Sequence, residues 1–150
     1  MKSLFKSEDA NSFIERINNL TPQSIPQWGK MHPAQLMAHC AAPFKMAHGE
    51  IIGKRGLMGF LFGKIAKKKI VNPAIPFDKN MPTDKKFLFP DANDFEAEKQ
   101  KLINKIKNFT ERGPAGISKE PHSFFGNMTP QDWDILQAKH LDHHLNQFGV

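Results

Sequence analysis

The spacing of hydrophobic residues predicts two helices in the first third of the chain. Apolar residues recur at the i, i+3, i+4, i+7 positions of an amphipathic helix over residues 10–20, with Ser7 as N-cap and Thr21-Pro22 as the stop. A second helix is predicted from residue 33 to about 49, because a proline is tolerated in the first turn. Pro43 lies inside this helix and should bend it. The residues expected in the core are Ala10, Phe13, Ile14, Ile17, Leu20, Leu36, Met37, Cys40 and Phe44.

Two more helices are predicted in the last third of the chain. One covers residues 92–112, is capped by Asp91 or Asp94, and ends at Gly113-Pro114. The other runs to Phe148 and has the strongest local signals. Its N-cap, its first-turn proline and its capping-box acid are Thr129, Pro130 and Asp132.

The connection between these two halves, residues 50–91, is long and irregular. Residues 57–69 have the composition of a short amphipathic helix, and Pro73, Pro76, Pro82 and Pro90 interrupt the segment that follows. A connection of this length is commonly a crossover or a lid, and we interpret it as a crossover on which a lid can form. No strand pattern or repeat is evident. The chain, residues 1–150, is therefore predicted to be one all-α domain, a four-helix bundle with a long crossover between helices 2 and 3.

Composition places the chain among ordinary globular proteins. Hydrophobic residues make up 39% and charged residues 24% of the sequence. The N-terminus lacks the apolar stretch of a signal peptide, and no segment approaches the roughly 20 apolar residues of a membrane span. Cys40 is the only cysteine, so an internal disulfide is excluded. We therefore expect a reducing, cytoplasmic setting.

The formal net charge is +6, and much of the excess lies at residues 64–69. One interpretation is a basic binding module that lays the apolar face of residues 57–69 on an anionic membrane, or its lysines on nucleic acid. The other is a crossover helix packed on the bundle with solvated lysines. We favour the second, because a chain-wide basic stripe interleaved with aromatics would be stronger evidence for binding. Neither nucleic acid nor a membrane is an expected partner on this basis.

The strongest chemical signal is the pair His140 and His144 near the C-terminus. Residues four apart share one face of a helix, and two stacked imidazoles form half of a site for zinc, nickel or iron. The alternative is a polar helix end that happens to be rich in histidine. His143 points about 60° away and is expected at the rim of the site, while Gln147 is suited to orient an imidazole or a water. The zinc-peptidase pattern is absent, because Asp142 does not occupy its carboxylate position.

A catalytic metal site needs a third protein ligand and an open position. His39 is the best candidate, because it lies in the middle of the second helix beside apolar residues. Considered alone, such a residue is more often a hydrogen-bonded core histidine. The other candidates are expected to be solvated or to cap helices: His32, His48 and His122. Cys40 is expected to be a small core residue, since neighbouring helical residues do not face one substrate.

Four segments of the chain resemble an uncharacterised branch of the DinB-like superfamily. They are Trp-Gly-Lys-Met at 28–31, Leu-Met-Ala-His-Cys at 36–40, the His-Ser-Phe-Phe-Gly segment at 122–126, and the His-rich segment 139–149. The resemblance implies a four-helix bundle in up-down-down-up order. It also implies a divalent metal bound by one histidine of the second helix and a later His-x-x-x-His pair, which correspond to His39, His140 and His144.

The activities found in that superfamily are thiol transfer, maleylpyruvate isomerisation and metal-dependent hydrolysis. The resemblance therefore implies a metal-dependent hydrolase or thiol transferase that acts on a small molecule, with a low-molecular-weight thiol as one candidate substrate. The metal would lower the pKa of a water or a thiol. Two alternatives remain: the basic binding module, and a bundle that keeps the metal for stability alone. Thirteen phenylalanines leave room for an exposed apolar flank, which would favour a homodimer.

Overall fold

The protein is all-helical. The computed structural model describes residues 1–81, 83 and 85–150; within these it has five α-helices, two short 3-10 helices and no strand. Pro82, one of the four prolines of the connection, lies outside the described residues. The helices are α1 (Ser7–Asn18), α2 (Pro33–Ala47), α3 (Leu57–Ile70), α4 (Phe95–Arg112) and α5 (Pro130–Gln147). The 3-10 helices are Lys85–Phe87 and Pro114–Gly116.

Four of the five helices enclose the hydrophobic core. Helix α2 packs along α4 and also contacts α5, while α1 packs on both α4 and α5. Every predicted core position of α1 and α2 is buried except Ile14, which is partly buried and packs against the core. The largest fully buried side chains include Trp133, Phe13, Phe44 and Phe109. This core holds α2 and α5 beside each other, which places the site described below.

Local sequence signals, namely caps and a first-turn proline, explain where α2, α4 and α5 begin. Thr129 and Asp132 form the predicted capping box of α5, with each side chain accepting a hydrogen bond from the other's backbone N–H. Asp94, one of the two predicted caps of α4, accepts from Ala97 N, so the helix begins at Phe95 rather than at residue 92. Helix α2 begins at Pro33 as predicted and continues through Pro43.

The predicted N-cap of α1 is wrong. Ser7 is the first helical residue, and Lys6 holds the cap position without a capping side-chain hydrogen bond to the described residues. The chain before α1 is instead held by long-range contacts. The buried carboxylate of Asp134 accepts hydrogen bonds from Ser3 Oγ and Leu4 N, both at 2.7 Å. These contacts fix the N-terminus to α5, which a local capping rule does not consider.

Helix α3 forms where the sequence predicts it, and one side of it packs on the rest of the protein. It buries Gly59, Gly63 and Ile70, and its other large apolar side chains are exposed. Helix α3 therefore packs on the rest of the protein, as the crossover interpretation predicts, but through its small residues and Ile70 and not through its other large apolar side chains. Among the described residues, no helix is long and apolar enough to cross a membrane.

Candidate metal centre

Three histidines from two helices converge on one point. His39 lies in the middle of α2, while His140 and His144 lie one turn apart on α5. One ring nitrogen from each residue lies within 4.8 Å of the other two, and the Nε2 atoms of His39 and His140 are 3.0 Å apart. Two nitrogens bound to one tetrahedral zinc ion are about 3.3 Å apart. The described residues therefore bring together three side chains that could hold a divalent metal.

The tautomer of His39 is fixed by a backbone group. Its Nδ1 lies 2.9 Å from the carbonyl oxygen of Phe87, at the end of the first 3-10 helix. Because a carbonyl oxygen only accepts, Nδ1 must carry the ring proton and donate it. The neutral ring then presents the lone pair of Nε2 towards His140. Histidine ligands of metals commonly donate their other N–H in this way.

A chain of two hydrogen bonds fixes His144. The amide nitrogen of Gln147 donates to the carbonyl oxygen of Trp28 at 2.6 Å, so its amide oxygen must face the other way. That oxygen lies 2.8 Å from Nδ1 of His144, which therefore donates its proton to it. The lone pair of His144 Nε2 is left free, and both His39 and His144 are oriented as metal ligands usually are.

His140 is the ring whose hydrogen bonding is incomplete. Its Nε2 faces Nε2 of His39, which already presents a lone pair. Its Nδ1 is buried and has no hydrogen-bond partner in the described part of the chain. Without a cation, His140 Nε2 must carry the ring proton and donate it to His39 Nε2, which leaves the buried Nδ1 of His140 unsatisfied. A cation in place of that proton would be bound by the lone pairs of both Nε2 atoms, so the facing nitrogens fit a metal.

Burial keeps all three rings neutral. Loss of water lowers the pKa of His39, His140 and His144, reaching about 3 for His144. Repulsion between the rings adds to the lowering of the pKa at His140 and His144, while the hydrogen bonds that His39 donates to Phe87 and His144 donates to Gln147 oppose it. Neutral imidazole is the form that binds metal, so burial keeps the cluster in the form that can coordinate.

A cavity of about 930 Å³ lies near the cluster, and its lining includes none of the three clustered histidines. His143 and Phe77 line it, and each also packs on the cluster: the His143 ring lies 5.1 Å from that of His144, and the Phe77 ring lies 6.5 Å from that of His140. Trp28 and Lys79 form another part of the wall, with the ammonium 4.2 Å from the indole ring centre. The predicted rim position of His143 thus lies between the cluster and an open cavity.

The remaining histidines lie outside the cluster. His32 is the N-cap of α2 and forms a capping box with Gln35. His48 is at the C-cap position of α2, where burial and the neighbouring Arg112 lower its pKa. His122 accepts from two backbone N–H groups of its own loop. Cys40 is buried in the core, as predicted, and burial raises its pKa.

Two parts of the site were not predicted from the sequence. The carbonyl groups of Phe87 and Trp28 orient His39 and, through Gln147, His144. Backbone carbonyls have no residue-type signature, so no motif could have identified them. The only information in the sequence about these carbonyl groups was that Phe87 lies in the crossover and that Trp28 precedes α2.

Comparison with protein-family models identifies a family of unknown function. A family model described as "Protein of unknown function (DUF1569)" matches residues 2–149. The chain belongs to this family. No curated protein and no solved structure matches the chain. The family model covers nearly the whole chain but assigns no activity, whereas the histidine cluster and the nearby cavity are the features of the structure that indicate chemistry.

Proposed function

We propose that this protein is a metal-dependent enzyme that uses His39, His140 and His144 to hold one divalent ion. The observation that carries the proposal is the convergence of three neutral imidazoles, two of which have their Nδ1–H groups fixed by hydrogen bonds. Zinc, nickel and iron all suit such a donor set. The proposal includes the finer expectations of a four-helix bundle in up-down-down-up order, a relationship to the DinB-like superfamily, and a cytoplasmic location.

The chemistry of such a site depends on its open position. A divalent ion held by three imidazoles lowers the pKa of a water or thiol that binds beside them. Among the described residues the cluster contains three ligand groups and not four, which supports an open site over one kept for stability alone. This is consistent with either a hydrolase or a thiol transferase.

The cavity beside the cluster supports a small anionic substrate. Its wall carries the cations Lys2, Lys79 and Lys139, whereas its carboxylate, Asp142, is already paired with Arg16 at 2.7 Å. A negatively charged group would therefore be attracted into the cavity. His143 lies between this wall and His144, and its lowered pKa keeps it neutral and able to accept a proton near pH 7.

Cobalt(II) spectroscopy tests the proposal and separates its two versions. Chelator-treated protein is reloaded with cobalt(II), and its visible spectrum is recorded before and after addition of 2-mercaptoethanol or azide. A new sulfur-to-metal charge-transfer band with the thiol supports thiol transfer, whereas a response to azide alone supports hydrolysis. His32→Asn, which keeps a capping side chain, serves as the matched control and should behave like the wild type.

Two outcomes would contradict the proposal. Cobalt that binds but responds to neither small ligand would indicate a closed site kept for stability. A wild-type spectrum equal to that of His39→Ala would mean that the histidine cluster is not the binding site.

A further inference from the structure

We propose that the outer face of α3 docks this protein on an anionic lipid surface. The outer face consists of Leu57, Phe60, Leu61, Lys64, Ile65 and Lys68. Leu57, Phe60 and Ile65 are about 70% exposed, at 73%, 70% and 71%. Large apolar side chains exposed together on one helix usually mark a contact surface. This proposal is independent of the metal centre.

Helix α3 cannot turn this face inwards without losing its own contacts. Its inner side is made by Gly59 and Gly63, which lie directly against the backbone of Phe124. A Cβ at Gly63 would collide with the carbonyl oxygen of Phe124, so no larger residue fits there. The small residues therefore face the protein and the large apolar residues face solvent.

The C-terminal half of α3 is fastened to α5. Lys67 pairs with Asp132 at 2.7 Å, and Lys139 donates to the carbonyl oxygens of Ile70 and Asn72. Ile70 is buried at the same end. These contacts fix the rotation of α3 about its axis, so the outer face is presented as a rigid surface.

The charges on the outer face favour anionic lipid. Helix α3 contains no acidic residue, and Lys54 and Arg55 precede it. Lys67 and Lys69 are paired with acids, but Lys64 and Lys68 are exposed and form no ion pair with the described residues. Their positions in the sequence alternate with the apolar residues of the outer face. An interfacial helix has this composition, with apolar residues entering the acyl boundary and lysines reaching the headgroups.

A second copy of the chain fits the same face less well. Two-fold contacts are the commonest in homodimers and would bring the outer faces of two α3 helices together. Lys64 and Lys68 would then approach the same cations of the partner copy with no carboxylate on either helix, which is unfavourable when water is excluded. Nucleic acid would attract the lysines but would leave the apolar side chains in water.

Vesicle co-sedimentation of the full chain tests the proposal. The wild type should bind phosphatidylcholine vesicles that contain phosphatidylglycerol and bind vesicles of phosphatidylcholine alone much less. Phe60→Ser with Leu61→Ser should weaken binding at least about tenfold through lost apolar burial. Lys64→Gln with Lys68→Gln should weaken it roughly 25-fold, because each lysine near an anionic surface contributes about fivefold.

Matched substitutions elsewhere on the protein test whether vesicle binding is specific to the outer face or nonspecific. Ile25→Ser removes a side chain that is 82% exposed but lies between α1 and α2, and Lys107→Gln removes an exposed lysine of α4. Both should bind vesicles like the wild type. A Leu61→Trp variant should show a blue-shifted emission when anionic vesicles are added, which reports entry of the outer face itself.

Three results would overturn the proposal. The first is no binding of the wild type to anionic vesicles at low salt, and the second is binding that both double variants retain. The third is a wild-type dimer in sedimentation equilibrium that Phe60→Ser with Leu61→Ser dissociates, since that would assign the outer face to a second copy. Circular dichroism establishes that each variant is folded.

Discussion

The histidine cluster places polar side chains inside the protein, whereas the outer face of α3 places apolar side chains in solvent. Both regions depart from the usual distribution of polar and apolar residues, in opposite ways. At the cluster, His39 and His144 are buried and His140 is partly buried, and fixed carbonyl and amide groups orient His39 and His144. On α3, large apolar side chains are exposed while glycines occupy the buried side. The cluster has polar nitrogens that would bind a ligand inside the fold, and the outer face has apolar side chains that would bind a ligand outside it. The difference is testable, because each region should respond to its own ligand alone.

The largest expected effect is the stabilisation of the folded protein by metal, which should depend on the histidine cluster and not on the outer face of α3. Adding zinc at about a thousand times its dissociation constant to chelator-treated protein should raise the free energy of unfolding by about 4 kcal/mol. His140→Ala with His144→Ala should show no rise. Phe60→Ser with Leu61→Ser on α3 should show the full rise, measured for all three proteins by urea denaturation. An equal response of both double variants would mean that the cluster is not the metal site.

The second effect is the pH dependence of stability that the cluster contributes. The pKa of His144 is about 3 in the folded protein and 6.5 ordinarily. Below pH 6.5 the unfolded chain binds a proton that the folded chain does not, so metal-free stability falls as the pH falls. His144 alone should lower the free energy of unfolding by about 2 kcal/mol between pH 7 and pH 5. Denaturation of His144→Leu should show a shallower pH dependence; an unchanged slope would contradict the assignment.

The third effect compares two buried glutamines of α5. Gln147 bonds both His144 and Trp28, whereas neither amide atom of Gln137 has a partner among the described residues. Gln147→Met should weaken metal binding about tenfold, because His144 loses the group that orients it. Gln137→Met should leave affinity unchanged and raise the free energy of unfolding by about 1 kcal/mol. Competition with a chromogenic chelator measures affinity, and equal losses in both variants would argue against a specific role for Gln147.

The smallest effect concerns stability at α3. Leu61→Ser should change the free energy of unfolding by less than about 0.5 kcal/mol, because its side chain is exposed and no core contact is lost. Ile70→Ala, on the buried side of the same helix, should cost about 2 kcal/mol. Urea denaturation measures both. A large loss in Leu61→Ser would mean that this side chain packs on the protein.

Sequence patterns predicted those parts of the fold that depend on neighbouring residues. Thr129, Pro130 and Asp132 specify the start of α5 because capping uses side chains within one turn. Ser7 failed as a cap because Asp134, distant in sequence, holds the N-terminal segment instead. Helix α3 was located correctly, but the glycines that turn its apolar face outwards act through Phe124, which lies in another segment.

The candidate site likewise has parts that the sequence predicted and parts that it did not. The spacing of His140 and His144 predicted a shared face, and the structure places His39 opposite them. That these three bind metal, and that His143 and Gln147 serve them, stays a prediction. The carbonyl groups of Phe87 and Trp28 could not be predicted, because their positions follow from how the crossover and the α1–α2 connection lie on the helices.

Metal content is the most direct test of the central claim. Protein expressed without an affinity tag and purified without chelators is analysed by inductively coupled plasma mass spectrometry. His140→Ala with His144→Ala and the matched His32→Asn variant are treated identically. We expect about one divalent ion per chain in the wild type and in His32→Asn, and none in the double variant. Equal metal content in the wild type and the double variant, or none in the wild type even after incubation with zinc, nickel or iron, would contradict the account.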